Sequence, residues 1–147
     1  ESLMWEDKTM ELLDMKCAEK GKEIVDKLFN SLNKDKTKTE NLITKSLGVL
    51  QEDGVYAYFL YISSLKNNYP DAAKQETFNL LKQNDILKEV VGSENDILKA
   101  LRDNFDNKLD ELLFAKELLE RTLVYARYHA KALDNPKTEK ITDNGGV

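Results

Sequence analysis

One cysteine, one histidine, one tryptophan, two prolines and six glycines in 147 residues leave several protein classes out of reach. A lone Cys17 cannot close an internal disulfide, and with only His129 to join it cannot anchor a structural zinc site. A reducing cytoplasm suits that cysteine use. Pro and Gly punctuate strands and hairpins, so their scarcity disfavours a small all-β fold. No stretch approaches 18 uninterrupted apolar residues, so no transmembrane helix and no membrane partner are expected. The opening Glu-Ser-Leu-Met-Trp-Glu-Asp has neither the basic start nor the apolar run of a signal peptide. Glu1 and Ser2 precede the first methionine, Met4, which fits a processed end or an added remnant. A Gly-rich phosphate loop, a His-Glu-x-x-His pair, a Cys-x-x-Cys pair and a nucleophile elbow are all missing, and no cofactor is expected.

What the chain does have is charge. Charged residues make up 33% of it, with a net charge of −5, against roughly 25% in ordinary globular chains. The charge is unevenly placed. Residues 1–15 carry net −4, residues 16–45 net +3, residues 46–106 net −4, residues 107–133 net +1, and the tail from Asp134 net −1. A polyanionic partner would therefore have to use the first or last helical region and avoid the middle.

Apolar spacing predicts helices throughout. Met10, Leu13, Cys17, Gly21, Ile24 and Leu28 recur every three or four residues and define one face of a first helix from about Leu3 to Leu32. Gly21, beside Ala18, is either a tolerated helical glycine or the seat of a close helix crossing. Asn33-Lys34-Asp35-Lys36 reads as a loop, and Thr37-Lys38-Thr39-Glu40 as a capping box that opens a helix with Ile43, Leu47 and Leu50 inward. Asp53-Gly54 supplies its stop. Val55 to Ile62 is apolar or aromatic all round and is expected to be the most buried element. Tyr69-Pro70-Asp71 marks a turn, with Pro70 suited to a first helical position before a helix carrying Ala73, Phe78 and Leu81. Asn84-Asp85-Ile86-Leu87-Lys88 recurs eleven residues later as Asn95-Asp96-Ile97-Leu98-Lys99, which suggests two short helices separated by Gly92, the second opened by Ser93 with Asp96. The last helix is the clearest, with Leu109, Leu112, Lys116, Leu119, Leu123, Ala126, Ala130 and Leu133 on one seam. Lys116 alone breaks that seam, Leu113 widens it, and Asn135-Pro136 ends the helix. The predicted fold is an all-α, single-domain helical bundle over residues 1–133, with five to seven helices and long first and last ones. Residues 134–147 form a polar, flexible tail.

Candidate chemistry is sparse. Asp103, Asp106 and Asp110 fall at i, i+3 and i+7, a spacing that could gather three carboxylates on a helical face for a hard cation. The simpler reading is an acidic first turn favoured by the helix dipole. Cys17 reads as a small buried hydrophobe, and His129 as a helix-end residue near the terminal carbonyls. The basic residues carry more. Arg121, Arg127 and Lys131 meet no acid along the chain until Asp134, and Tyr125 and Tyr128 are interleaved with them. Cations of this kind neutralise phosphates, and aromatic faces stack bases. Lys16, Lys20 and Lys27 form a second stripe on the first helix, with Lys45 on the next. Against this stands the ordinary solvated lysine face.

Two words of the sequence resemble one family. Leu50-Gln51-Glu52-Asp53-Gly54-Val55 and the aromatic run after it resemble a polar–Gly–aliphatic step that opens an apolar helix ending in Lys, here Lys66. Tyr125-Ala126-Arg127-Tyr128-His129-Ala130-Lys131-Ala132-Leu133 resembles the same family's ending, in which an aromatic residue, usually Trp, is followed by aliphatic, basic, basic, aromatic and Ala. The family is the small helical subunit of the type III-B CRISPR effector, the Cmr complex. Tyr125 replaces the Trp, Tyr128 the second basic residue and His129 the second aromatic, while Arg127 keeps its basic position. The resemblance implies a non-catalytic, cytoplasmic ribonucleoprotein subunit of antiviral defence, monomeric in isolation. It would stack with the other effector subunits and help line the channel for guide RNA paired with target RNA. The analogous type III-A small subunit and a protein-binding helical adaptor with no nucleic-acid contact are the alternatives. An enzyme using the three aspartates is a third.

Overall fold

The computed structural model describes residues 2–65, 69–84, 86–92 and 94–134, with side chains from residue 11 onward. Among them lie seven helices and no strand: α1 (Ser2–Ser31), α2 (Lys36–Asp53), α3 (Val55–Ser64), α4 (Asp71–Gln83), α5 (Lys88–Val91), α6 (Ile97–Asn104) and α7 (Leu109–Lys131). The first and last are the long ones, as the spacing predicts. Lys66, Asp85, Ser93, Asn135-Pro136 and the remaining tail lie outside the described residues, as does the side chain of Met10.

The face predicted for α1 is the one it buries. Cys17, Gly21, Ile24 and Leu28 are fully covered, joined by Val25. Gly21 is the seat of a close crossing. A Cβ there would stand 2.8 Å from Thr122 O and 2.9 Å from Ala126 N, both backbone atoms of α7. One turn earlier, Cys17 Sγ lies 3.7 Å from Leu118 O. The contacts thus advance together, one turn of α1 for one turn of α7.

Asn33 and Lys34, both at φ 59°, reverse the chain after α1. The cap of α2 is Asp35, not Thr37. The Asp35 carboxylate accepts from Lys38 N at 3.0 Å, and the buried Thr39 hydroxyl donates to Asp35 O at 2.8 Å. Thr39 faces the core, so its hydroxyl is spent on the backbone one turn back. Ile43, Leu47 and Leu50 point inward as predicted. Gly54, at φ 97°, donates its N–H to Leu50 O and accepts from Tyr58 N, so it closes α2 and opens α3 with no intervening loop.

α3 is not buried all round. Val55, Tyr58, Phe59 and Ile62 face inward, where the Phe59 ring meets Tyr58 and Phe78 edge-on, but Leu60 is half exposed. A ten-residue helix against the side of a small bundle has one covered face, and scattered apolar residues on the other are tolerated. Pro70 serves as the N-cap of α4 rather than its first helical residue. Its extended ψ of 145° directs its carbonyl to Ala73 N and Lys74 N.

The repeated pentapeptide gives two different structures. In the first copy the Asn84 side chain accepts from Ile86 N and Leu87 N, leaving Ile86 exposed and Leu87 buried ahead of α5. In the second copy Asp96 accepts from Lys99 N and Ile97 is buried at the start of α6. Gly92, at φ 66°, separates them, its N–H on Lys88 O.

On α7, Leu119, Leu123, Ala126 and Ala130 are buried as the seam predicts, and Ala115, Leu118 and Thr122 join them. Lys116 fits the seam because its Nζ donates to Gln51 O at 3.1 Å, near the end of α2. Leu109 and Leu113, by contrast, are exposed: Leu113 sits about 100° round the helix from Leu112, which packs against the core, so Leu113 does not widen the buried seam. The helix is capped at Ala132.

Candidate nucleic-acid interface

Of the seven basic residues singled out in the sequence, three are neutralised by acids from distant parts of the chain. Glu76 on α4 takes both Lys20 and Lys27 of α1, each at 2.7 Å, and Lys20 also bonds Glu23 at 3.1 Å. Hydrogen bonds from Lys20 and then Lys27 pull the Glu76 pKa down to about 2. Burial opposes the charge on Lys20, yet the bonds to Glu76 and Glu23 outweigh it and raise that pKa. Arg121 meets Asp14 at 3.2 Å, and Tyr125 donates to the other oxygen of that carboxylate at 2.5 Å. Arg121 is therefore opposed after all, by an acid 107 residues away in sequence. The α1 lysine stripe is a clamp onto α4 rather than an open cationic face.

Lys16, Lys45, Arg127 and Lys131 make no ion pair among the described residues. They are not gathered at one place. Lys16 borders an apolar groove between α1 and α4, whereas Lys45 is exposed on α2. Arg127 and Lys131 lie in the last turns of α7 and have company that the sequence reading missed. Because α1 and α7 advance together past Gly21, the buried Leu28 lies level with the final turns of α7. The turn from α1 into α2 therefore shares that end of the bundle. It brings Lys34, Lys36 and Lys38, none ion-paired among the described residues. The Asp35 carboxylate between them is engaged in capping α2. The alternation Lys34-x-Lys36-x-Lys38 was the available signal, hidden within a segment that reads as a polar loop.

The end of the bundle thus presents Lys34, Lys36, Lys38, Arg127 and Lys131. Tyr128 stands among the α7 cations, 60% exposed, with no hydrogen bond to any described residue. Arg127 is partly buried, and its Nε is covered and without a hydrogen-bond partner among the described residues. Such a surface can neutralise phosphates. It offers no array of fixed donors and acceptors for reading base sequence.

The other candidates separate. Asp103 lies in α6, Asp106 in the connection after it and Asp110 in the first turn of α7, so the break at residues 105–108 divides them between elements. Among the described residues no group of three His, Cys, Asp or Glu side chains is placed to hold a metal ion. Cys17 is fully buried, and burial pushes its thiol pKa up. His129 is half-buried in the last turn of α7. In the core, burial raises the Tyr58 hydroxyl to about 12 and the Tyr69 hydroxyl well above its ordinary value. Neither oxygen has a hydrogen-bond partner of good geometry among the described residues, since the nearby Thr77 hydroxyl donates to Lys74 O. No described helix is long and apolar enough to cross a membrane. No family model, no curated protein and no solved structure matches the chain.

Proposed function

We propose that this chain is a non-catalytic RNA-channel subunit of a prokaryotic RNA-guided effector, of the kind represented by the small helical subunit of the type III-B CRISPR complex. The observation that carries the reading is the division of its cations. Lys20, Lys27 and Arg121 are paired with acids of the bundle, while five others at one end of it make no ion pair among the described residues. Backbone electrostatics of that kind holds a strand without reading it, and sequence recognition is left to base pairing between guide and target. The sequence words at 50–66 and 125–133 support the same reading, and Arg127 keeps the basic position of the second. The net charge of −5 is compatible, because acidic surface elsewhere can face neighbouring subunits.

A protein-only adaptor is the second reading, favoured by the groove between α1 and the end of α4. It holds about 620 Å³ and exposes Leu12, Met15 and Ile86 beside Leu80 and Phe114. The two readings part on what the chain carries in its host. The full chain, tagged and recovered from its native cells, is expected to bring guide RNA and the other effector subunits with it. Recovery with protein partners but no guide RNA would favour the adaptor and contradict the channel subunit.

A further inference from the structure

Resting on the RNA-channel reading, we infer that Tyr128 is a stacking platform for one unpaired nucleobase, whose flanking phosphates lie on Lys131 and Arg127. Tyrosine rings in this bundle are otherwise occupied. Tyr58 and Tyr69 are buried, Tyr61 packs against the core, Tyr56 accepts from Arg102 at 3.0 Å, and Tyr125 is fastened to Asp14. Tyr128 is the most exposed of the large aromatic side chains among the described residues, and its hydroxyl is free.

Its surroundings set the direction of a bound nucleotide. Lys131 lies three residues on and Arg127 one residue back, and as i, i+4 neighbours both stand on the same side of Tyr128 on α7. On the side towards the middle of the helix, Tyr128 borders a shallow depression of about 430 Å³, with Val124 and Tyr125 in its wall. Asp14, Glu117 and Glu120 also line that depression, together with Arg121, which is paired with Asp14 and Glu117. Three carboxylates against one cation leave the depression unfavourable to a phosphate, and the cations attract one at the helix end. A flat, neutral base over Tyr128 and Val124 with its phosphates towards Lys131 satisfies both. A base held in a duplex has both faces covered by its neighbours, so the platform distinguishes unpaired from paired RNA.

The test uses the full chain with an oligouridine and with a duplex RNA of the same length. Tyr128→Ala is expected to weaken oligouridine binding about tenfold and to leave duplex binding unchanged. Tyr128→Phe should keep the affinity of the unaltered chain. Circular dichroism is expected to give the same helix content for all three proteins. Unchanged oligouridine binding by Tyr128→Ala, or an equal loss on both RNAs, would overturn the platform while leaving the channel reading in place. If neither RNA binds in a salt-dependent manner, the channel reading fails and the platform falls with it.

Discussion

Gly21 and Gly48 are both helical glycines, and their surroundings give opposite expectations. At Gly21 a methyl group would press on two backbone atoms of α7, neither of which can move without shifting that helix. Alanine brings better helix propensity, worth about 1 kcal/mol, but overpacking of this kind costs about 1–3 kcal/mol. Gly21→Ala should therefore lower Tm. Nothing lies within 4 Å of a Cβ at Gly48, so Gly48→Ala should raise it, by roughly 0.5–1 kcal/mol in stability. Thermal unfolding of the two variants checks the pair, and a gain from both would contradict the close crossing. Glu76 gives a second residue-level expectation. Its folded pKa of about 2 lies below the ordinary 4.5, so its stabilisation is fully present above pH 4.5 and is lost as pH falls towards 2. Glu76→Gln should cost about 2 kcal/mol at neutral pH. It should also flatten the loss of stability across that acid window, as read by denaturant unfolding at a series of pH values. Gly21 could be placed on the inward face from spacing alone, whereas the Glu76 clamp could not. Its partners are 56 and 49 residues away, and no local pattern pairs an acid on α4 with lysines on α1.

Among the elements, the two copies of Asn-Asp-Ile-Leu-Lys show how far a local pattern reaches. The sequence is the same, yet in the first copy the Asn side chain closes a turn ahead of α5 and Leu87 is buried, while in the second the Asp caps α6 and Ile97 is buried. The first copy forms the turn ahead of α5, which begins only at its Lys88, whereas the second enters α6 at its Ile97, so different side chains of the same words face the core. Ile97→Ala should accordingly destabilise the fold by about 2–3 kcal/mol. Ile86→Ala, at an exposed position, should stay within about 0.5 kcal/mol of the unaltered chain. Equal losses in urea unfolding would show that the copies pack alike. The long helices were legible because periodicity over many turns averages out exceptions such as Lys116, which finds a backbone carbonyl in line with the seam. The short elements and the ends were less so. Asp35 and Thr37 both offer a cap at the start of α2, and Asp35 takes it because the helix already begins at Lys36, which leaves Thr37 inside its first turn. The apolar run of α3 reads as buried on every side, but its outer face has no neighbouring element to cover Leu60.

The whole molecule has two unlike ends. Leu12, Met15, Ile86, Leu109 and Leu113 are exposed where α1 and α7 begin and α4 finishes, while cations gather where α1 turns into α2 and α7 finishes. A 23-residue helix spans roughly 35 Å between them. Linear charge counting located the basic regions, 16–45 and 107–133, but could not say which cations remain unpaired, because Glu76 and Asp14 lie far away in sequence. The central claim is that the surviving cations at the α7 end hold RNA through its phosphates. RNA affinity of the full chain measured across a series of salt concentrations tests it most directly, with Arg127→Ala and Lys131→Ala compared with Lys27→Ala. Affinity is expected to fall steeply with salt, with a slope reduced by about one for each of the first two substitutions and unchanged for Lys27→Ala, whose ammonium is already held by Glu76. A salt-independent affinity, or a slope that responds to Lys27 and ignores Arg127 and Lys131, would contradict it.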